Sequence, residues 1–366
     1  MASVISAIAV LTGTIVGSGI LAIPYVAAKA GLWTGIFMIV ALGIMMLMVN
    51  LMLGEVMLKS RKAHQLTGYA ERYFGRRGKL LMAISVFVGI FGALSAQIIG
   101  EGEAIKAVLG GNAMLWAVVF YAIMSFLICQ SMKIFEKAEV SLGIVKLSLF
   151  AVILAILFFS PDFSIKHQTF QPAQIMLPFG VVLFALLGTA AIPEVRRELD
   201  HKTKKILFVL IAGSIIPMIL YILFTLAVVG VTKSATTDVA TVGLANIFGA
   251  SGILMNLFAV LTMSTAYLGL SFAVKNMLKV DYKLKEDTAI LITILTPALI
   301  LTVSKSFIKL IGIAGAIGGG IAGILIILMH DKTDDRQPEY HMRIPGFVKY
   351  IFIGVFIVGA IASLFY

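Results

Sequence analysis

The sequence contains few charged residues, one cysteine and five histidines. Only 13% of its 366 residues are charged, whereas 60% are hydrophobic, and the mean hydropathy is +1.05, a balance that soluble domains do not have. The single cysteine excludes an internal disulfide and a thiolate metal cluster. The histidines, all in predicted loops, are His64, His167, His201, His330 and His341. Without a cluster of such side chains we expect no enzyme active site, no metal and no cofactor.

Long apolar stretches recur along the chain. A membrane-spanning helix needs about 20 consecutive apolar residues. The stretches that meet this requirement lie at residues 2–30, 32–57, 80–105, 113–131, 138–160, 174–194, 206–230, 250–274, 288–304, 308–329 and 347–365. The sequence therefore predicts an all-α polytopic membrane protein, with about 11 transmembrane helices in a lipid bilayer.

Most of the 29 lysine and arginine residues fall in alternate loops. Basic loops remain on the cytoplasmic side of a membrane, so we expect a protein of the cell membrane with a cytoplasmic N-terminus and an extracellular C-terminus. This bias, together with contact to anionic lipid, accounts for the net charge of +11. No nucleic-acid partner is expected, and the sequence carries no signal of an oligomeric state.

The first apolar segment contains residues that disfavour a continuous helix. Gly17, Ser18 and Gly19 lie near its middle, and each glycine costs about 1 kcal/mol relative to alanine. Pro24 removes one backbone donor. An interrupted backbone in hydrocarbon must be buried in protein or line a cavity, so we expect a solute site here. Two alternatives stay open: Gly13 and Gly17 form a GxxxG packing pair, or the segment is a secretory signal.

The sixth apolar segment repeats these features. Gly188 and Thr189 lie in mid-span, and Pro193 follows. Interrupted helices at positions one and six are five steps apart and therefore cross in opposite directions, which is typical of inverted-topology repeats. The predicted units are a first five-helix repeat at 1–160, a second inverted repeat at 174–329 and an additional helix at 347–365.

Three polar side chains inside apolar segments allow more than one interpretation. A lysine at the centre of a spanning helix costs about 2.5–3.5 kcal/mol, so Lys146 either extends its amine to the inner interface or takes up and releases a proton during transport. Ser264 and Thr265 either bond to their own helix or bind a small cation. Transport is therefore one function that these positions favour.

Several other polar residues lie near the predicted helix ends. We expect Glu55 to form a solvated ion pair with Lys59 at the inner end of the second helix. Gln97, Glu101 and Glu103 lie near the outer end of the third helix. We expect the two carboxylates at the water boundary, with gating of an outer entrance as the alternative.

Two motifs resemble those of the amino acid, polyamine and organocation (APC) transporter superfamily. The first, GTIVGSGILAIP, covers 13–24, the second, LLGTAAIPEV, covers 186–195, and Lys146 lies in GIVKLSLF. The likeness is closest to the amino acid/auxin permeases and the related tryptophan/tyrosine permeases, and it covers nearly the whole chain. It implies a LeuT-like fold of two inverted five-helix repeats with helices one and six broken. It also implies a substrate site between helices one, three, six and eight, and secondary active transport of amino acids.

The resemblance also implies roles for individual residues. The substrate carboxylate would bind amides at the first interruption, where a helix N-terminus offers free N–H groups and partial positive charge. The ammonium would bind carbonyls freed at both interruptions, at Ile15 and around Phe184 and Leu187, and Phe184 would cap the side-chain pocket. The predicted substrate-binding residues are Thr14, Ile15, Gly17, Ser18, Gly19, Phe184, Leu187, Gly188 and Thr189.

Two residue patterns in this sequence indicate different coupling ions. Sodium-driven relatives place an ion beside helix-eight hydroxyls, which Ser264 and Thr265 match, whereas proton-driven relatives place a helix-five lysine amine there, which Lys146 matches. Because an ammonium and a sodium ion repel each other at low dielectric, we favour proton-coupled symport of a neutral amino acid, aromatic and branched side chains included. Sodium coupling and a non-transporting amino acid sensor are the alternatives. A channel is disfavoured because no ring of charges is present.

Overall fold

The computed structural model describes residues 2–60, 64–130, 132–165, 170–199, 203–333 and 344–365, and these residues contain helices and no β-strand. The helices are α1 (Ala2–Ile15), α2 (Gly19–Ala30), α3 (Leu32–Leu58), α4 (Leu66–Leu109), α5 (Ala113–Ile128), α6 (Met132–Phe158), α7 (Leu177–Ala185), α8 (Ile192–Glu198), α9 (Thr203–Thr232), α10 (Ala240–Phe248), α11 (Ala250–Val280), α12 (Glu286–Val303), α13 (Phe307–Ile313), α14 (Gly320–Asp331) and α15 (Gly346–Ala362). The all-helical prediction is confirmed.

Six helices in the described part of the chain are long and apolar enough to cross a membrane, and the bent pair α1–α2 makes a seventh candidate. The six are Leu32–Leu58, Leu66–Leu109, Lys204–Ala235, Ser251–Val280, Glu286–Val303 and Phe307–Asp331. The helices α5 and α15 have 16 and 17 residues. At about 1.5 Å per residue they are shorter than a hydrocarbon core of about 30 Å. The number of eleven spanning helices therefore stays a prediction.

The first apolar segment is interrupted between α1 and α2. The helix α1 ends at Ile15, α2 begins at Gly19, and their axes differ by 51°. Pro24 lies inside α2, and the helix continues through it. The interruption therefore coincides with the glycine-rich residues and not with the proline.

The sixth apolar segment forms two short helices instead of one long one. The helix α7 ends at Ala185 and α8 begins at Ile192, so residues 186–191 are not helical. Pro193 lies in the first turn of α8, where a missing backbone donor costs nothing. Both predicted interruptions are thus present in the backbone.

Glycine residues occur at two further irregular points, a bend in α4 and a π-helical turn between α13 and α14. The helix α4 changes direction at Gly75, whose φ of 64° lies in the region that glycine adopts without strain. The turn before it packs on the bundle, because Tyr69 is fully buried. Between α13 and α14, residues Ala314–Gly319 form a π-helical turn that packs against α7 and α4. A Cβ added at Gly315 would lie 2.0 Å from the Gly180 carbonyl oxygen, so glycine at this position allows the turn to pack closely against α7.

Candidate functional site

The two interruptions contact each other directly. A Cβ added at Gly19 would lie 2.7 Å from the Cα of Ala185, the last residue of α7. A Cβ added at Gly188 would lie 2.7 Å from Cδ1 of Ile15, the last residue of α1. No side chain fits at either contact without displacing its neighbour. Glycine at these positions therefore allows the broken ends of the two segments to meet.

Tyr221 of α9 connects the carbonyl ends of the two half-helices. Its hydroxyl lies 2.6 Å from the Ile15 carbonyl oxygen and 2.8 Å from the Ala185 carbonyl oxygen, and the side chain is fully buried. The two carbonyls therefore share one donor. Sequence reasoning missed this residue, although a tyrosine in the middle of an apolar span is unusual because tyrosine concentrates at membrane interfaces.

The amides of the first interruption are only partly free. The Gly17 amide donates to the Ile15 carbonyl at 2.8 Å. Within the described ranges no carbonyl accepts a hydrogen bond from the Ser18 or Gly19 amides. These two amides point from the N-terminal end of α2, where partial positive charge accumulates, so they can bind an anion.

The other predicted substrate-binding residues differ in their surroundings. Thr14 is exposed, and its hydroxyl donates to the Val10 carbonyl of its own helix. The half-buried Phe184 and Leu187 lie beside glycines of the π-helical turn, and Thr189 is buried within residues 186–191. The capping role of Phe184 stays a prediction.

Two side chains of α4 reach the site, and the expectation that Glu101 lies at the water boundary is wrong. The Gln97 amide donates to the Ser18 hydroxyl at 2.8 Å, and the Ser264 hydroxyl donates to Oε1 of Glu101 at 2.7 Å. Both α4 side chains are fully buried because α4 packs along α11. Of the two carboxylates expected at the boundary, Glu103 is the partly exposed one and pairs with Lys106.

The predicted coupling residues lie together in the structure. The Lys146 amine on α6 donates to the Thr265 hydroxyl on α11 at 2.9 Å, and Lys146 is half-buried. The Thr265 hydroxyl in turn donates to the Leu261 carbonyl. Adjacent residues of α11, Ser264 and Thr265, thus contact an acidic and a basic side chain from two different helices. This arrangement can hold or release a proton on the amine.

A second polar cluster lies at the end of α3. The Glu55 carboxylate is fully buried and contacts the Lys59 amine at 2.8 Å and Nε2 of His330 at 3.0 Å. The expected ion pair is present, but it is not solvated. The expectation that His330 lies in a loop is wrong, because this residue ends α14 and is buried there. His167, His201 and His341 lie outside the described residues.

Comparison with known proteins establishes the family. A model of the tryptophan/tyrosine permease family matches residues 1–365. The chain belongs to this family. Among the relatives is glutamine transporter 2 of Aliivibrio fischeri, 25% identical over 356 residues that cover 91% of both chains. Another is tyrosine-specific transport system 1 of Haemophilus influenzae, 23% identical over 362 residues that cover 92% of this chain and 90% of the relative.

Family membership confirms the resemblance inferred from the two motifs. Together with the long apolar helices it indicates a multi-pass membrane protein and a transporter, not an enzyme. Among the described residues no three histidine, cysteine or acidic side chains are grouped as metal ligands would be.

Proposed function

We propose that the protein is a secondary active transporter that carries a neutral amino acid across the cell membrane by proton-coupled symport. The relatives named as glutamine and tyrosine transporters support an amino acid as the substrate. The observation that carries the proposal is the direct contact between two interrupted apolar segments, with helix ends of opposite polarity beside it. Such ends match the two charged poles of a zwitterion.

The hydrogen bond from the Gly17 amide to the Ile15 carbonyl suggests how a zwitterion would bind. A substrate carboxylate would accept from the amides of Gly17, Ser18 and Gly19 in place of that bond. The substrate ammonium would donate to the carbonyl that the bond releases. One internal bond would thus be exchanged for several charge-assisted ones, each roughly twice as strong as a neutral bond.

Proton coupling is supported by the contacts of α11. The Lys146 amine donates a hydrogen bond to the Thr265 hydroxyl, and the Ser264 hydroxyl donates one to Glu101. A sodium ion at these two hydroxyls would lie beside an ammonium and would have to displace the Lys146 amine from the Thr265 oxygen. A lysine that loses and regains its proton would weaken and restore the charge-assisted Thr265 contact during the cycle. Sodium coupling through Ser264 and Thr265 remains the alternative that experiment must exclude.

We also propose the membrane arrangement. Residues 1–160 and 174–329 would form two inverted five-helix repeats of a LeuT-like fold with eleven spanning helices, and 347–365 would be the additional helix. The end of the bundle that carries Lys59, Arg196 and Lys275 would face the cytoplasm. The N-terminus would then be cytoplasmic and the C-terminus extracellular.

The zwitterion site is tested by removing one pole of the ligand at a time. The full-length protein in detergent is titrated with tyrosine and with two analogues of it. Tyramine lacks the carboxylate, and 3-(4-hydroxyphenyl)propanoate lacks the amine. Glutamine is titrated in parallel. We expect the loss of either pole to weaken binding by about 10–100-fold, since hydrogen bonds to charged groups contribute about 1.5–3 kcal/mol. Equal binding of tyrosine and either analogue would contradict the site.

A pair of glycine variants tests where this binding occurs. Gly19→Ala introduces a methyl group against Ala185 and is expected to abolish amino acid binding, because it separates the two interruptions. Gly13→Ala is the matched control, since nothing lies within 4 Å of the added Cβ. Binding that is unchanged in both variants would place the substrate elsewhere.

A further inference from the structure

Two polar atoms on one face of α4 are buried without a partner. Gln97 and Glu101 are four residues apart, so their side chains lie on the same side of the helix. Each side chain is fully buried and makes one hydrogen bond, but Oε1 of Gln97 and Oε2 of Glu101 have no partner among the described residues. Buried polar atoms in folded proteins are nearly always hydrogen-bonded, so this pair calls for a ligand.

We propose that Gln97 and Glu101 bind the end of the substrate's side chain, and that the substrate is an amino acid whose side chain both donates and accepts hydrogen bonds. A phenol hydroxyl, a carboxamide and an aliphatic hydroxyl all satisfy this description. The inference rests on the proposed amino acid transport and adds to it the chemistry of the side chain that is selected.

The position of the pair follows from its existing contacts. The Gln97 amide reaches Ser18 in the first interruption, and the Glu101 carboxyl reaches Ser264 on α11. A Cβ added at Gly17 would lie 3.7 Å from Cβ of Ala266 on α11. The interruption, the polar face of α4 and this stretch of α11 therefore border the same small region.

The direction of the substrate side chain follows from the proposed binding of its charged poles. Main-chain groups of segments one and six would bind the carboxylate and the ammonium, so the side chain must leave toward a third element. The face of α4 that carries Gln97 is in contact with the first interruption. A substrate side chain directed there would meet two buried polar atoms within one helical turn.

The chemistry of the two atoms determines which substrate groups can bind to them. Oε1 of Gln97 is an amide oxygen and only accepts, whereas Oε2 of Glu101 accepts as a carboxylate and donates as a carboxylic acid. A carboxamide has two N–H donors and can satisfy both atoms in either protonation state of Glu101. A hydroxyl has one donor, so it satisfies both atoms only when Glu101 is protonated and donates to the hydroxyl oxygen. An apolar side chain of the same size would leave both atoms unpaired, and sites built to hydrogen-bond a substrate group strongly reject analogues that lack it.

Matched pairs of amino acids test the inference on the wild-type protein. The full chain in detergent is titrated with three pairs of amino acids: tyrosine with phenylalanine, glutamine with methionine, and threonine with valine. The two members of each pair are alike in size, but only the first has a polar end group. We expect the polar member of the preferred pair to bind about 100-fold more tightly than its apolar partner.

Variants locate the preference on α4. Gln97→Leu is expected to reduce the difference within the preferred pair to less than about tenfold. The matched control is Ser95→Ala on the same helix, because Ser95 is equally buried but bonds to Phe91 and to Pro297 of α12. This control is expected to keep the full difference, and the result supports the inference if both expectations are met.

The remaining outcomes overturn the inference in distinguishable ways. If both members of every pair bind with equal affinity, the proposed function survives and the side-chain inference is wrong. If Gln97→Leu weakens both members of a pair equally, the α4 face binds the ammonium instead. If none of the six amino acids binds the folded protein, the proposed function fails as well.

Discussion

At the scale of single residues, the candidate site depends on a few buried polar groups in an apolar bundle. Tyr221 is the clearest case, since one hydroxyl lies within hydrogen-bond distance of two carbonyls from two separate segments. Tyr267 is also a fully buried tyrosine, but its hydroxyl has no partner in the described part of the chain. The two residues therefore form a natural pair for mutagenesis.

Tyr221→Phe is expected to destabilise the protein by about 1–3 kcal/mol, because it removes the hydroxyl that the buried Ile15 and Ala185 carbonyls share. Tyr267→Phe removes a hydroxyl that has no partner, so we expect no loss of stability and a small gain. Thermal unfolding of the two purified variants measures both effects. Equal melting temperatures for the two variants would show that the Tyr221 contact contributes nothing.

A second prediction at the residue scale concerns Asp238, which lies in the loop before α10. Burial raises the pKa of this carboxyl above its ordinary value of 3.8, although a hydrogen bond from Tyr25 and the charge of Lys29 oppose the rise, and Glu103 adds to it. The folded protein therefore keeps a proton on Asp238 at pH values where the unfolded chain has lost it. Stability must fall as pH rises from 3.8 through the higher folded pKa.

Asp238→Asn removes this titration, so its melting temperature is expected to fall less than that of the wild type as pH rises from about 4 to about 7. Asp162→Asn, in an exposed loop, is the control and should follow the wild-type curve. Identical pH profiles for all three proteins would contradict the role assigned to the buried Asp238 carboxyl.

At the scale of elements, short helices are fixed by contacts at their ends. The buried Arg196 of α8 donates to the Tyr69 hydroxyl and to the Ser60 carbonyl, each at 2.7 Å. These bonds connect α8 to the end of α3 and to the turn before the bend at Gly75. The interruption after α7 therefore does not leave α8 free to move independently.

The π-helical turn between α13 and α14 yields a prediction for packing. Gly315→Ala would place a methyl group against the Gly180 carbonyl oxygen and the Phe184 amide, and overpacking of this kind costs about 1–3 kcal/mol. Gly13→Ala in α1 meets open space and is expected to stabilise the helix by up to about 1 kcal/mol. Thermal unfolding should show opposite signs, and a loss of equal size in both variants would contradict the packing argument.

The sequence predicts the interruptions better than it predicts the contacts. Glycine lowers helix stability wherever it occurs, so the break before Gly19 can be inferred without a structure. The burial of Gln97 and Glu101 cannot, because hydrophobic periodicity marks a buried face only when another face is polar. In these helices nearly every face is apolar, so the partners of α4 and the donor on α9 depend on tertiary packing alone.

The GxxxG alternative for the first segment can also be judged at this scale. Nothing lies within 4 Å of a Cβ added at Gly13, and one added at Gly17 would make only an ordinary contact with Ala266. The two glycines therefore do not form a tight packing surface within the described residues. Gly17 lies in the interruption between α1 and α2, and breaking the helix is the better interpretation of that glycine.

At the scale of the whole molecule, the account combines an interrupted zwitterion site with a basic group that holds a proton. Lys146 lies on α6 and bonds to α11, while Gln97 and Glu101 lie on α4 and contact segment one and α11. The helix α11 thus links the proposed coupling group to the proposed substrate site. Loss of a proton from Lys146 would weaken one of these links, because the bond to Thr265 would no longer be charge-assisted.

The most direct measurement is the uptake of labelled tyrosine and glutamine into proteoliposomes under separate proton and sodium gradients. We predict accumulation of at least one of them under an inward proton gradient. Lys146→Ala should abolish accumulation but preserve binding, and the exposed control Lys305→Ala should behave as the wild type. Accumulation driven only by sodium and indifferent to Lys146, or binding without any uptake, would contradict the account.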